Sequence, residues 1–102
     1  MRIVAIAILW VAGASLLFAQ EPAAQFARAN KEYASGEFKA AIADYEELVR
    51  AGQDAPNLFY NLGNAYFRQK DFGHAILNYE RTLALDPRHP EAQANLRIAR
   101  DE

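Results

Sequence analysis

The sequence predicts an all-α fold, a superhelical stack of helical hairpins, on three observations. Pro22, Pro56 and Pro90 stand at one strict interval, which marks an internal repeat of 34 residues. The same shift superposes Asn30 on Asn64, Phe38 on Phe72, Ala41 on Ala75, Ile42 on Ile76, Tyr45 on Tyr79 and Glu46 on Glu80. Apolar residues inside the repeats recur at helical spacing, and glycine or proline separates the runs. Self-similarity at this period signals helical hairpins that bury their faces against one another.

In chain order the first element is a targeting segment. Arg2 precedes an uncharged apolar run from Ile3 to Ala19, and charge returns at Glu21. That is the layout of a secretory signal, with Leu17-Phe18-Ala19 as the cleavage triplet. The competing reading is an uncleaved anchor, because the run lies at the lower edge of a membrane span. Gly13, Ser15 and the short leader before the run favour cleavage near Ala19. The protein is therefore expected to be exported and to work in the periplasm. Retention of the segment would instead tether it to the inner membrane.

The folded domain is expected over 22–100, as repeats 22–55 and 56–89 followed by a capping helix or third-repeat helix at 90–100. Pro22 suits a first helical turn, where its missing N–H costs nothing, and this helix should run to about Ser35. Gly36 supplies the turn into Phe38 to Arg50, with Ala41, Ile42, Tyr45, Leu48 and Val49 on the buried side. Gly52 and Pro56 punctuate the next connection, and helices follow over Asn57 to Gln69 and Phe72 to Leu85. Pro87 stops the fourth helix, and Glu91 to Arg100 forms the last, with Leu96 packing between Ala92 and Ala99.

Phe59-x₂-Leu62-Gly63-x₂-Tyr66, then Ala75-x₃-Tyr79, then Pro87, follow the tetratricopeptide pattern, with rings of another kind at two positions. The chain resembles the tetratricopeptide repeat family from Pro22 to about Arg100, which implies an α-solenoid (a TPR superhelix) that binds proteins without catalysis. Gln25, Arg28 and Glu32 stand in the first repeat where Phe59, Leu62 and Tyr66 stand in the second. Polar residues there read as a solvating N-terminal cap, as terminal repeats require. Tyr60 to Asn64, Ala75 to Arg81, Leu85 to Arg88 and Ala94 to Leu96 also resemble the tetratricopeptide protein of the bacterial Bat aerotolerance cluster. In that group a signal sequence and repeats precede a membrane helix and a small β-barrel domain.

Composition narrows the function. Apolar residues at 52% and charged residues at 24% suit a globular chain, and a net charge of −2 offers no basic field for nucleic acid. With no cysteine there is no disulfide framework, thiolate metal site or thiol nucleophile. His74 and His89 lie on different elements without metal-ligand spacing, and read as an exposed helical residue and a turn residue. Glu46 and Glu47 are adjacent, so they diverge on their helix and read as solvated surface. No enzyme activity, cofactor or metal is expected.

What remains is a binding groove. The resemblance implies a concave face lined by the first helix of each repeat. Carried onto this chain, its partner-binding positions are Phe26, Asn30, Asn57, Tyr60, Asn61, Asn64 and Arg68, with Tyr33, Ala34, Phe67, Asn95 and Ile98 beside them. Asparagine offers a donor and an acceptor to a peptide backbone, Tyr60 is an amphipathic anchor, and Arg68 a cation for an acidic partner. The bland alternative is that the asparagines bond neighbouring backbone while the rings fill hairpin cores, and for Tyr33 and Phe67 it is the stronger reading. Replacing Asn64 is expected to spare the fold, as for an exposed polar side chain. The carboxylate clamp of some family members is not expected, because Phe26, Glu91 and Asn95 stand where its three cations belong. The expected partner is a protein or peptide. Membrane association through the N-terminal segment is the anchored alternative, and two and a half repeats leave room for a homo-oligomer to add stability.

Overall fold

The structure, a computed structural model, describes residues 21–102. The signal or anchor expected over 1–19 lies outside the described residues. Among the described residues there are five helices and no strand: α1 (21–34), α2 (Phe38–Arg50), α3 (Pro56–Arg68), α4 (Phe72–Leu85) and α5 (Pro90–Arg100). None of these helices is long and apolar enough to cross a membrane. α2 and α4 have the expected bounds, while α3 and α5 each start one residue earlier, on their proline. The proline fits because its φ is already helical and its absent N–H is an orphan at a first turn.

The turns repeat as the sequence does. Between α1 and α2, Gly36 takes a left-handed φ of 81°, and Lys70 takes 61° at the equivalent place between α3 and α4. Each turn closes on a backbone bond to the preceding helix, Glu37 N–H to Glu32 at 2.8 Å and Asp71 N–H to Tyr66 at 2.9 Å. Asp71 then caps α4 by accepting from the His74 N–H, which α2 lacks because Glu37 makes no side-chain cap.

Two cores hold the stack. Ala29, Ala41, Tyr45, Leu48, Leu58, Leu62 and Ala65 join α1, α2 and α3. Ala75, Tyr79, Leu96 and Ala99 join α4 and α5, with Tyr60, Tyr66 and Phe67 packed against them. Gly63 explains how α3 approaches α4 so closely: a Cβ there would lie 2.8 Å from Tyr79 Cε1. α1 holds Ala29 at this register, and α5 holds Arg97, which is exposed. A helix packed on α5 as α4 is on α3 would meet that charged side chain, so Arg97 gives α5 a solvated flank.

The polar stripe of α1 does more than face water. Arg28 makes a two-pronged bond to Asp44 of α2, both contacts 3.1 Å, and Gln25 donates to the Asp44 carbonyl and the Glu47 carboxylate. The expected cap is thus also the seam between α1 and α2. Glu47 is correspondingly a bond acceptor on that seam.

Candidate functional site

α1, α3 and α5 stand side by side, and a ladder of asparagines ties them together. Asn30 Oδ1 on α1 accepts from the buried Tyr45 hydroxyl of α2 and from Asn61 Nδ2 of α3 at 3.0 Å. One repeat later, Asn64 Oδ1 accepts from the Tyr79 hydroxyl at 2.7 Å and from Asn95 Nδ2 of α5 at 3.1 Å. Each rung therefore joins a hairpin to the helix that follows it. The mechanism is charge-free: two donors converge on one amide oxygen, which satisfies a phenol that burial has taken from water. Burial pushes the Tyr45 hydroxyl up to about 12 and the Tyr79 hydroxyl higher still. Both stay neutral donors at physiological pH.

These bonds correct the expectation that Asn64 is a free surface residue. It is half-buried and holds a tyrosine hydroxyl, so its loss orphans a buried donor. The bonding partners are side chains, whereas the bland alternative had backbone. The rungs leave other atoms of the same amides unused. Among the described residues, Nδ2 of Asn30 and of Asn64, and Oδ1 of Asn61 and of Asn95, have no hydrogen-bond partner.

The ladder floors a trough made of three adjoining depressions. The first, about 540 Å³ and wide open, takes in Phe26, Asn30, Asn57, Tyr60 and Asn61, with His89 and Glu91 at its edge. The second, about 140 Å³, shares Asn30 and Asn61 and adds Tyr33 and Asn64. The third, about 230 Å³, continues from Tyr33 and Asn64 to Phe67, Arg68, Asn95 and Ile98. All seven partner-binding positions expected from sequence lie along it.

They differ in what else they do. Asn57 and Arg68 are exposed, the latter with its guanidinium over the Phe38 ring, 4.6 Å from the centroid. Phe26 packs against Tyr45 in the first core at a centroid distance of 6.0 Å. Tyr33 and Phe67 meet Phe38 and Phe72 edge-on at 5.4 and 5.3 Å, so each pins its own hairpin as well as edging the trough. Tyr60 leans on the His89 ring at 4.7 Å, and its oxygen lies 3.3 Å from Asn95 Nδ2.

His89 is the residue that sequence reading undervalued. Its Nδ1 accepts from the Ala92 N–H at 3.1 Å, so it is the side-chain N-cap of α5 rather than a plain turn residue. Asn78 and Thr82 are a second surprise, buried on α4 and bonded within that helix to the His74 and Asn78 carbonyls. Among the described residues no group of acidic or histidine side chains is placed to hold a metal. Asp71 and His74 do form an exposed pair at 2.8 Å, stacked on Tyr66.

The sequence profile of the Tetratricopeptide repeat family matches residues 26–90 and again 60–100. The chain belongs to that family. No curated protein matches it. Tetratricopeptide repeats generally serve as non-catalytic scaffolds for protein–protein interaction.

Proposed function

We propose that the protein is a scaffold of the cell envelope that holds an extended segment of a partner protein in the asparagine trough. The observation that carries this is the set of unused amide atoms along the ladder. Asn30 Nδ2, Asn61 Oδ1, Asn64 Nδ2 and Asn95 Oδ1 present donors and acceptors in turn, while their other ends are fixed by Tyr45, Tyr79 and one another. A peptide backbone carries the matching alternation, and preorganised groups lose little entropy on binding it. Export rests on the sequence pattern of Met1 to Gln20. Kinship with the Bat-cluster tetratricopeptide protein rests on the strings around Asn61, Tyr79 and Pro87, and would make the partner another subunit of an envelope complex.

The test is crosslinking in the source cell. A photoreactive residue at Asn57, exposed in the trough, should capture the partner, and one at Glu47 should not. Tyr60→Ala should weaken the captured partner's binding by about 1–2 kcal/mol, as for a central contact. Capture from Glu47 alone would transfer the interface to α2 and α4. Intact mass of the exported chain decides whether Met1 to Ala19 is removed.

A further inference from the structure

We infer that the third depression of the trough seats an acidic side chain of the bound segment, with an apolar neighbour of that side chain on Ile98. This names the chemistry of the partner and rests on the peptide-binding reading above. Arg68 is the only charged group among the residues lining that depression. Among the described residues no carboxylate pairs with it, in contrast to Arg28 and Arg100, which are paired with Asp44 and Glu80. Its guanidinium is nonetheless placed, because it lies over the Phe38 ring with its edge left for a ligand. A guanidinium held over a ring can keep N–H donors of its fork for a carboxylate.

The surroundings select further. Ile98 occupies on α5 the register that Asn30 and Asn64 occupy on α1 and α3, and it is 50% exposed. The ladder of amides thus ends in an apolar side chain, which can hold a side chain but not a backbone. The trough's first depression carries Glu91 instead, so a carboxylate is repelled there and drawn to Arg68.

Position favours an acid within the segment over a free C-terminal carboxylate. Helices packed side by side lie about 8–10 Å apart. A segment crossing α1, α3 and α5 therefore covers roughly 20 Å, about six extended residues. Arg68 is on α3, in the middle of that span, where the ligand chain continues on both sides.

The experiment presents the full chain with random eight-residue peptides, acetylated and amidated so that neither end is charged. The expected result is enrichment of Asp or Glu beside an aliphatic residue, and about tenfold weaker binding of the enriched peptides by Arg68→Gln, the scale of one charge-assisted bond. Arg68→Glu should turn the selection to Lys or Arg at the same position. Arg68 is exposed, so losing its contact with Phe38 should lower the thermal midpoint of both variants by only a few degrees at most. Enriched peptides that need the trough, weakened by Tyr60→Ala but without acidic preference, would overturn this inference and leave the peptide-binding reading standing. Selection only of peptides with a free C-terminus would overturn it as well. Peptides indifferent to Tyr60→Ala, or none enriched at all, would overturn both.

Discussion

The two hairpins share one face and differ on another. In both, a buried tyrosine of the second helix donates to an asparagine of the first, and that asparagine binds the next helix. Along the adjoining stripe, α1 meets α2 through Gln25, Arg28 and Glu32, whereas α3 carries Phe59, Leu62 and Tyr66. Those apolar side chains work on both sides: Leu62 belongs to the first core, while Tyr66 stacks on His74 and Phe59 lies under Arg81 of α4. α3 lies between α2 and α4, whereas among the described residues α1 meets only α2 along this stripe, so there α3 gains more by burying apolar side chains. The ladder is independent of that difference, which is why it recurs unchanged.

The largest expected effect breaks the second hairpin where it is tightest. A Cβ at Gly63 meets the Tyr79 ring at 2.8 and 2.9 Å, and Tyr79 is itself held by Asn64. Gly63→Leu should cost about 3 kcal/mol or more, the upper end for an overpacked core. Asn64→Leu orphans the Tyr79 hydroxyl and should cost about 1–3 kcal/mol. Urea midpoints of the two variants give the comparison, and an equal or reversed order would show that α3 does not turn Gly63 to α4.

Alkaline titration compares the two rungs next. A tyrosine whose hydroxyl is raised by burial keeps its proton in the folded chain after the unfolded chain has lost it. Its contribution is fully present below about pH 10 and falls as pH rises through the folded value. For Tyr45 the window is pH 10 to about 12, and a displacement of that size is worth roughly 2–3 kcal/mol. Tyr79 is raised further, so its loss extends to higher pH. Tyr45→Phe and Tyr79→Phe should each flatten the decline in stability measured by urea unfolding from pH 9 to 12. An unchanged slope in both would mean that the rungs are open to water.

The helices and their pairing were legible because they are written twice. Period, proline and glycine punctuation and the buried stripe of α2 all agree with the structure. The positions of the trough were legible through the family resemblance, but the ladder was not. Asn61 and Asn95 are one repeat apart, a signal as regular as Asn30 and Asn64, yet only packing shows that each donates to the asparagine of the hairpin before it. His89 and Phe38 were hidden for the same reason. A cap and a platform are made by what lies opposite, and single-residue reading assigns a histidine between two prolines to a turn and a ring to a core.

The smallest expected effect lies in the polar seam of the first hairpin. Glu32 Oε1 is buried and has no hydrogen-bond partner among the described residues. The neighbouring Asp44 carboxylate, by sharing a proton with it, raises the Glu32 carboxyl, and burial adds to the rise. Asp44 moves the other way, held low first by Arg28 and then by Glu32. The signs follow. Asp44's contribution is present above the ordinary carboxylate range and lost as pH falls. Glu32's is present below its ordinary 4.5 and lost as pH rises through its folded value. Once Glu32 has lost its proton it is a charge beside a like charge. Glu32→Gln keeps a donor for Asp44 and removes that repulsion, so it should stabilise the chain at pH 7 by a few tenths of a kcal/mol, the scale of partly exposed charges. Below pH 4.5 the native carboxyl is protonated and already donates, so the gain should vanish there. Urea midpoints at pH 7 and pH 4 test both halves, and a gain that persists unchanged at pH 4 would show that packing, not the shared proton, governs this seam.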